Sequence, residues 1–214
     1  MRKLYLLLLL VLFGVYLNFL YQDFAFNAET AVLKYSTVFI ILIMTLLFYR
    51  QSVNYQNYLI GLLFIISADY FLLFHHNETE IMAGIFLFLL AHLFYQRLYN
   101  KNDRFFCAFI IIIAAILILP VSELLFRLGF VYAMALLMNL ALSFSLFIKH
   151  KNYSYLLAAL AFILLILCDI YILYSFFVGN LYQWIWLFYV PFLVLLNVSV
   201  LKPFEKKSLF QLAR

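Results

Sequence analysis

Long apolar runs repeat along this chain and constrain its fold more than any other feature. There are eight of them, each of about 17 to 26 residues, which is long enough for a helix to cross a hydrocarbon core of about 30 Å. The sequence therefore predicts an all-α polytopic membrane protein with eight transmembrane helices and a single transmembrane domain over residues 1–214. The predicted spans are 4–20, 32–49, 56–74, 80–99, 105–121, 123–148, 153–177 and 182–201.

The composition excludes a soluble domain. The chain is 69% hydrophobic and only 11% charged, whereas soluble domains are about 25% charged. The connections between the runs are too short for an extramembrane domain. The Met1-Arg-Lys start followed by leucines is similar to a signal peptide, but no small-residue cleavage site follows it. We therefore expect the first run to be a membrane span.

The charged residues predict a topology. Because cytoplasmic connections carry an excess of Lys and Arg, we expect both termini on the cytoplasmic side, in an integral protein of a bacterial inner membrane. The least certain boundary is Pro120–Glu123, where Ser122 is a candidate helix cap. Lysines and arginines cluster on alternate connections at Arg2, Lys3, Arg50, Arg97, Lys101, Arg104, Lys149, Lys151 and beyond residue 201. The opposite connections carry Asp23, Glu29, Glu78, Glu80 and Glu123.

Two aspartates lie deep inside apolar runs, Asp69 in the third span and Asp169 in the seventh. An ionised carboxylate at the bilayer centre costs about 3 kcal/mol on insertion scales, so such a group needs a partner, water or a function. Both spans cross the membrane in the same direction. This favours two four-helix halves, 1–104 and 105–214, related by a parallel repeat.

Two carboxyl groups at similar depth are a candidate acid–base pair. Burial disfavours the charged form and mutual repulsion separates the two, so one can hold a proton while the other is ionised. The alternative is that Asp69 and Asp169 are only hydrogen-bond partners between helices. Lys34, at the outer start of the second span, is predicted to lie near both acids. The alternative for Lys34 is a side chain that extends to the membrane interface.

Further polar side chains follow helical spacing inside the spans. His92 lies near the middle of the fourth span, where a stripe of side chains predicts a cavity wall, although a lone histidine is more often a core residue. Asn139 in the sixth span shares a face with Tyr132 and Ser143, and it is either part of the site or a bridge between helices. The stripe on the fourth span consists of Gly84, Phe88, His92, Tyr95 and Tyr99.

Several common chemistries have no motif in the chain. There is no glycine-rich phosphate loop, no Cys-x-x-Cys, no His-Glu-x-x-His and no Gly-x-Ser-x-Gly. His75 and His76, with Glu78 and Glu80, have metal-binding side chains, but a solvated polar loop is the favoured interpretation. We predict no metal site.

The polar positions together resemble the YhhN-like lysoplasmalogenase family of eight-span membrane proteins. The similarity covers nearly the whole chain in order and spacing. It rests on Lys34-Tyr-Ser, on the segment from Gly61 to Asp69, on the segment from Gly84 through His92 to Tyr95, on the segment from Phe162 to Asp169, and on a tyrosine near the eighth-span position Tyr189.

The resemblance implies an enzyme of lipid metabolism. Its substrate would be a lysophospholipid of the lysoplasmalogen type, an ether lipid, whose vinyl ether bond is hydrolysed to a fatty aldehyde and a glycerophospho-headgroup. Asp69 and Asp169 would be the catalytic general acid and base, with no cofactor. We predict Lys34, His92, Tyr95, Asn139 and Tyr189 as the substrate-binding residues.

Two other classes of function fit parts of the sequence. A proton-coupled transporter or lipid flippase also places carboxylates and a repeat inside the bilayer, but transporters usually break helices at their sites, and the chain has only 5 Gly and 3 Pro. A non-catalytic lipid-binding member of the family is the other alternative. It is suggested by Ala68 and Cys168, which precede the aspartates where the family has Gly and Ser, and by Tyr35, which stands where the family has Pro.

Overall fold

The computed structural model describes residues 2–26, 30–48, 55–74, 77–99, 110, 113–114, 118, 124–178 and 182–200. All regular structure in these residues is α-helical. The described helices are α1 (Arg2–Phe26), α2 (Ala31–Phe48), α3 (Tyr55–Phe74), α4 (Glu78–Tyr99), α5 (Leu124–His150), α6 (Tyr153–Val178) and α7 (Tyr182–Val200).

The predicted all-α membrane class is confirmed. Six of the described helices, α1 to α6, are long and apolar enough to cross a membrane by length and composition, and α7 contains the shorter apolar stretch Trp184–Val200. The predicted span 105–121 lies outside the described residues except at positions 110, 113, 114 and 118, and the boundary at Pro120–Glu123 lies wholly outside them. A count of eight spans is compatible with these helices.

The end of the first helix was predicted wrongly. The sequence placed it at residue 20, with Asp23 on an outer connection, but α1 continues to Phe26 and Asp23 is buried inside it. The carboxylate is accommodated there because Lys34 of α2 pairs with it. An acid with a nearby cation does not have to end an apolar helix.

Neighbouring helices in the chain mostly pack against each other. α3 lies along α4, and α6 lies along α7, while α5 contacts both α4 and α6. α2 contacts α1, α3 and α7, and so connects the start of the chain to its last described helix. The centre of the bundle is aromatic, with Phe19, Tyr58, Tyr95, Phe162 and Phe192 almost fully buried.

The outer surface of the bundle is apolar. Leu10 is 69% exposed and Val32 is 73% exposed, and further Leu, Ile and Phe side chains along the helices are also exposed. Water would not tolerate so much contiguous apolar surface, whereas lipid chains cover it at no such cost. This exposure, together with the helix lengths, indicates an integral membrane protein.

Polar side chains also bridge helices away from the aspartates. Asn197 of α7 donates hydrogen bonds to Thr45 of α2 at 2.8 Å and to Tyr58 of α3 at 3.0 Å. Asn197 therefore bridges three helices. These bonds fix α7 against the α2–α3 pair below the aspartates.

Gly61 allows the close approach of α3 and α4. A Cβ atom at Gly61 would lie within 3.0 Å of the Tyr95 ring, and that ring is stacked on Tyr58 with 5.8 Å between centroids. We predict that Gly61→Ala lowers the free energy of unfolding by about 1–3 kcal/mol, because the stacked ring has no room to move. Thermal unfolding in detergent measures the loss.

Gly129 provides the matched control for this prediction. It is also helical, but a Cβ atom there would meet nothing within 4 Å. Gly129→Ala should be neutral or stabilising by up to about 1 kcal/mol, since alanine is the better helix former. Equal unfolding temperatures for the two variants would contradict the close contact at Gly61.

Candidate functional site

Asp69 is held by a tyrosine from the far end of the chain. Its carboxyl group is buried in α3, and Tyr189 of α7 points its hydroxyl group at both carboxyl oxygens, at 2.9 and 2.7 Å. The single hydroxyl proton is therefore shared between the two oxygens. This contact joins two helices that are 120 residues apart in the chain.

Asp169 has a partner of the same kind. The Tyr132 hydroxyl of α5 donates to Oδ2 of Asp169 on α6 at 2.9 Å. Each predicted acid thus accepts a hydrogen bond from a tyrosine on another helix. Helix bridging, which the sequence left open for both aspartates, is therefore part of their role.

Phe88 of α4 connects the two acid–tyrosine pairs. Its ring centroid lies 6.1 Å from that of Tyr132 and 6.2 Å from that of Tyr189. The two acid–tyrosine pairs therefore meet at the Phe88 ring, with Asp69 buried and Asp169 partly buried.

His92 lies beside Tyr132 and is fixed by Asn139 of α5. The Asn139 amide nitrogen lies 3.1 Å from His92 Nδ1 and donates to the His92 backbone carbonyl at 3.0 Å. Because an amide nitrogen only donates, Nδ1 accepts, and the neutral ring carries its proton on Nε2. The His92 ring also contacts the Tyr132 ring edge-on, with 5.3 Å between centroids. Asn139 is therefore a positioning residue for His92.

The predicted stripe on α4 faces the interior. Gly84, Phe88, His92 and Tyr95 are all buried. Within the described part of the chain, two buried oxygens here have no hydrogen-bond partner, Tyr95 Oη and Asn139 Oδ1. Buried polar atoms of this kind usually bind water or a ligand.

Lys34 has a different partner from the one that the sequence predicted. Its ammonium group lies 2.6 Å from the Asp23 carboxylate, and the Thr30 hydroxyl donates to the same carboxylate. The Lys34 side chain is buried in the protein rather than exposed at its surface. The physical reason is the longer α1, which brings Asp23 level with the first turn of α2. Similar depth in the membrane did not place Lys34 against Asp69 or Asp169.

An aromatic wall links this ion pair to Asp69. The Lys34 ammonium lies 5.8 Å from the centroid of the Trp186 ring and 6.0 Å from that of Phe19. Trp186 in turn packs against Tyr189, with 4.9 Å between centroids. Sequence reasoning missed Trp186 and Asp23. The spacing of three residues between Trp186 and Tyr189, which puts them on one helix face, was the available signal.

A shallow groove lies between α1, α2 and α7. Neither aspartate lines it. The sequence predicted a cavity wall along the α4 stripe, where Phe88 is buried and in ring contact with Tyr189. The residues around the groove are Tyr5, Leu9, Leu12, Ile41, Met44, Val194, Asn197 and Val198.

The fold and site together define a polytopic α-helical membrane protein with two tyrosine-bonded aspartates in its interior. A family model for the YhhN family matches residues 29–191. The chain belongs to the YhhN family, which confirms the resemblance found in the sequence. The matched range contains Lys34, His92, both aspartates and both tyrosines, and it begins after Asp23. Comparison with curated proteins and with solved structures gave no significant match.

Proposed function

We propose that this protein is a membrane-embedded hydrolase that cleaves the vinyl ether bond of lysoplasmalogen-type lysophospholipids. The products would be a fatty aldehyde and a glycerophospho-headgroup. One observation carries the proposal: two carboxyl groups each accept a hydrogen bond from a tyrosine hydroxyl at 2.7–2.9 Å, and the rings of both tyrosines contact the same phenylalanine, Phe88. Paired carboxyl groups in unlike environments are a recurrent arrangement for acid–base chemistry.

The reaction needs one proton donor and one proton acceptor. A protonated carboxyl group of the pair delivers its proton to the outer carbon of the vinyl ether, which leaves an oxocarbenium ion on the inner carbon. The ionised carboxylate stabilises this cation and takes a proton from the water that attacks it. The resulting hemiacetal then breaks into aldehyde and alcohol. One water molecule is consumed, no electrons are transferred, and neither a metal nor an organic cofactor is involved.

The tyrosines and His92 position the two acids. The Tyr132 hydroxyl holds one oxygen of Asp169, the Tyr189 hydroxyl holds both oxygens of Asp69, and the remaining lone pairs are left for substrate or water. The Asn139–His92 contact fixes the ring against Tyr132. Such fixed donors stabilise charge in a transition state because they need not reorganise when it forms.

The depth of the site suits the position of the reacting bond. In a lysoplasmalogen the vinyl ether is attached directly to the glycerol, and so it lies just below the headgroup. Asp69 precedes the end of α3 at Phe74 by five residues, or about 7.5 Å of helix rise. A carboxyl group at this depth lies beside the headgroup end of the lipid's hydrocarbon chain, and the rest of that hydrocarbon chain extends along the apolar helices.

The direct test is aldehyde release by the purified full-length protein. We expect turnover of a 1-alkenyl lysophospholipid and no turnover of the 1-acyl and 1-alkyl lipids with the same headgroup, because only the alkenyl chain forms the oxocarbenium ion on protonation. Intact 1-alkenyl lipid after long incubation would overturn the proposal. Movement of intact lipid across proteoliposomes would favour a flippase instead.

The two tyrosines that bond the aspartates give a prediction for kcat. Tyr189→Phe and Tyr132→Phe should each lower kcat by about 10- to 100-fold, since a hydrogen bond to a charged group contributes about 1.5–3 kcal/mol. Initial rates of aldehyde release measure the change. Tyr153, which is 77% exposed at the start of α6, is the matched control, and Tyr153→Phe should keep the full rate. Unchanged kcat in both interior variants would exclude a role for these hydroxyl groups.

A further inference from the structure

We propose that the interface between α4 and α5 holds internal water, bound by Gln96 and Asn139, and that this water supplies the hydrolysis from the Asp169 side. The water site itself stands on the geometry of the two helices. Its role as a supply rests on the proposed function and deepens it, since it names the place from which the second substrate of the hydrolysis is drawn.

The first observation is a buried amide group without hydrogen bonds. Gln96 is only 2% exposed, and within the described part of the chain neither its oxygen nor its nitrogen has a hydrogen-bond partner. Leaving a buried polar atom unpaired is costly, so native proteins usually satisfy such atoms with ordered water. The Gln96 amide therefore marks a place where water binds.

Gln96 faces α5. Successive residues of an α-helix are turned by about 100° around its axis, so Gln96 projects between the directions of His92 and Leu93. Both of these residues pack toward α5, His92 through its contact with Asn139 and Leu93 through a buried cluster that includes Val131. The unpaired amide consequently lies inside the α4–α5 interface.

Asn139 provides a third unpaired atom in this interface. Its amide nitrogen contacts the ring and the backbone of His92, while its buried oxygen has no hydrogen-bond partner among the described residues. Because helical side chains lean toward the start of their helix, Gln96 extends back toward the level of His92 and Asn139. One water can donate to both amide oxygens, and a second can accept from Gln96 Nε2. Internal water requires polar partners of this kind.

The same row of polar side chains leads to one of the proposed acids. Gln96 is one helical turn from His92, the His92 ring contacts the Tyr132 ring, and the Tyr132 hydroxyl donates to Asp169 at 2.9 Å. The proposed reaction consumes one water per turnover, and that water has to reach a carboxylate inside an apolar bundle. Water held at Gln96 and Asn139 is drawn past His92 and Tyr132 to Asp169.

The test is hydroxyl radical footprinting of the full-length protein in detergent, with the radicals produced by X-rays in H₂¹⁸O and the products read by mass spectrometry. Radiolysis of a bound water labels the side chains beside it, even when they are buried. Leu193, which is buried on α7, is the matched control for Leu93, since both are leucines. We expect wild-type Leu93 and His92 to take up the label several-fold faster than Leu193.

Gln96→Leu removes both amide atoms and keeps most of the side-chain volume. In this variant the label on Leu93 and His92 should fall to the Leu193 rate. We expect kcat for aldehyde release to fall by about three- to tenfold, the effect of losing one hydrogen bond. Gln56→Leu, at an exposed glutamine near the start of α3, should change neither the label nor kcat.

Wild-type Leu93 labelled no faster than Leu193 would overturn the inference, and that measurement does not depend on the folding of a variant. A Gln96→Leu protein with the wild-type label and the wild-type rate would overturn it as well, because the amide would then bind no water. Fast labelling of Leu93 without aldehyde release would instead remove the proposed reaction alone and leave the water site in place.

Discussion

Replacing either interior aspartate by its amide should almost abolish aldehyde release by the purified protein. We expect Asp69→Asn and Asp169→Asn each to lower kcat by about 10²–10⁴-fold, the usual contribution of general acid–base catalysis. Asparagine keeps the size of the side chain and an oxygen for the tyrosine hydroxyl, but it neither delivers nor accepts the proton. Initial rates at saturating 1-alkenyl lysophospholipid give the measurement.

Two controls make the aspartate result specific. Glu78 is an exposed acid in the first turn of α4, and Glu78→Gln should keep the wild-type rate. The doubly substituted protein should be no slower than the worse single variant, because residues that act as one unit do not contribute additively. Single variants that retain more than about a tenth of the rate, with an unchanged unfolding temperature, would contradict acid–base roles for these residues.

Lys34→Met should lower the free energy of unfolding by about 3–5 kcal/mol. The substitution leaves the Asp23 carboxylate buried without its cation, which is the costly way to break an ion pair. Removing both charges, with Asp23→Asn added to Lys34→Met, should recover most of the loss. Denaturant unfolding in detergent followed by circular dichroism measures all three proteins.

A control variant separates the loss of stability in Lys34→Met from a general effect of removing a positive charge. Lys149 carries the same charge on an exposed part of α5, and Lys149→Met should change the free energy of unfolding by less than about 0.5 kcal/mol. A Lys34→Met variant as stable as wild type would show that Asp23 is solvated in the folded protein.

Helix positions were predictable from the sequence because the membrane imposes them. Apolar runs must match the thickness of the hydrocarbon core, so α2 to α6 begin and end within a few residues of the predicted spans. The end of α1 was not predictable in this way. A buried carboxylate at Asp23 is acceptable only with the cation from α2, and such a pairing between helices leaves no local pattern in the sequence.

The identity of the acids was predictable, but their partners were not. A carboxyl group in an apolar run is visible in any sequence, and it marked Asp69 and Asp169 at once. Tyr132 and Tyr189 are two tyrosines among 17 in the chain, and only the rotation of α5 and α7 selects them. Depth along the membrane, which suggested Lys34 as a neighbour of the acids, says nothing about the direction in which a side chain points.

The repeat between residues 1–104 and 105–214 stays a prediction. Such a repeat would make the third and seventh spans equivalent. However, Asp69 accepts its hydrogen bond from α7, whereas Asp169 accepts its hydrogen bond from α5. The hydrogen bonds of the two acids are therefore not repeated. Unlike surroundings favour unlike roles for two identical side chains, which is what acid–base chemistry requires.

The reaction run in heavy water tests the central claim most directly. Purified protein is given a 1-alkenyl lysophospholipid in D₂O, the aldehyde is trapped as it forms, and its mass is measured. Proton delivery to carbon predicts one deuterium per aldehyde on the carbon next to the carbonyl group, with the signal lost in Asp69→Asn and Asp169→Asn. Aldehyde without deuterium at that carbon, or equal labelled product from wild type and both variants, would contradict vinyl ether hydrolysis by this pair of acids.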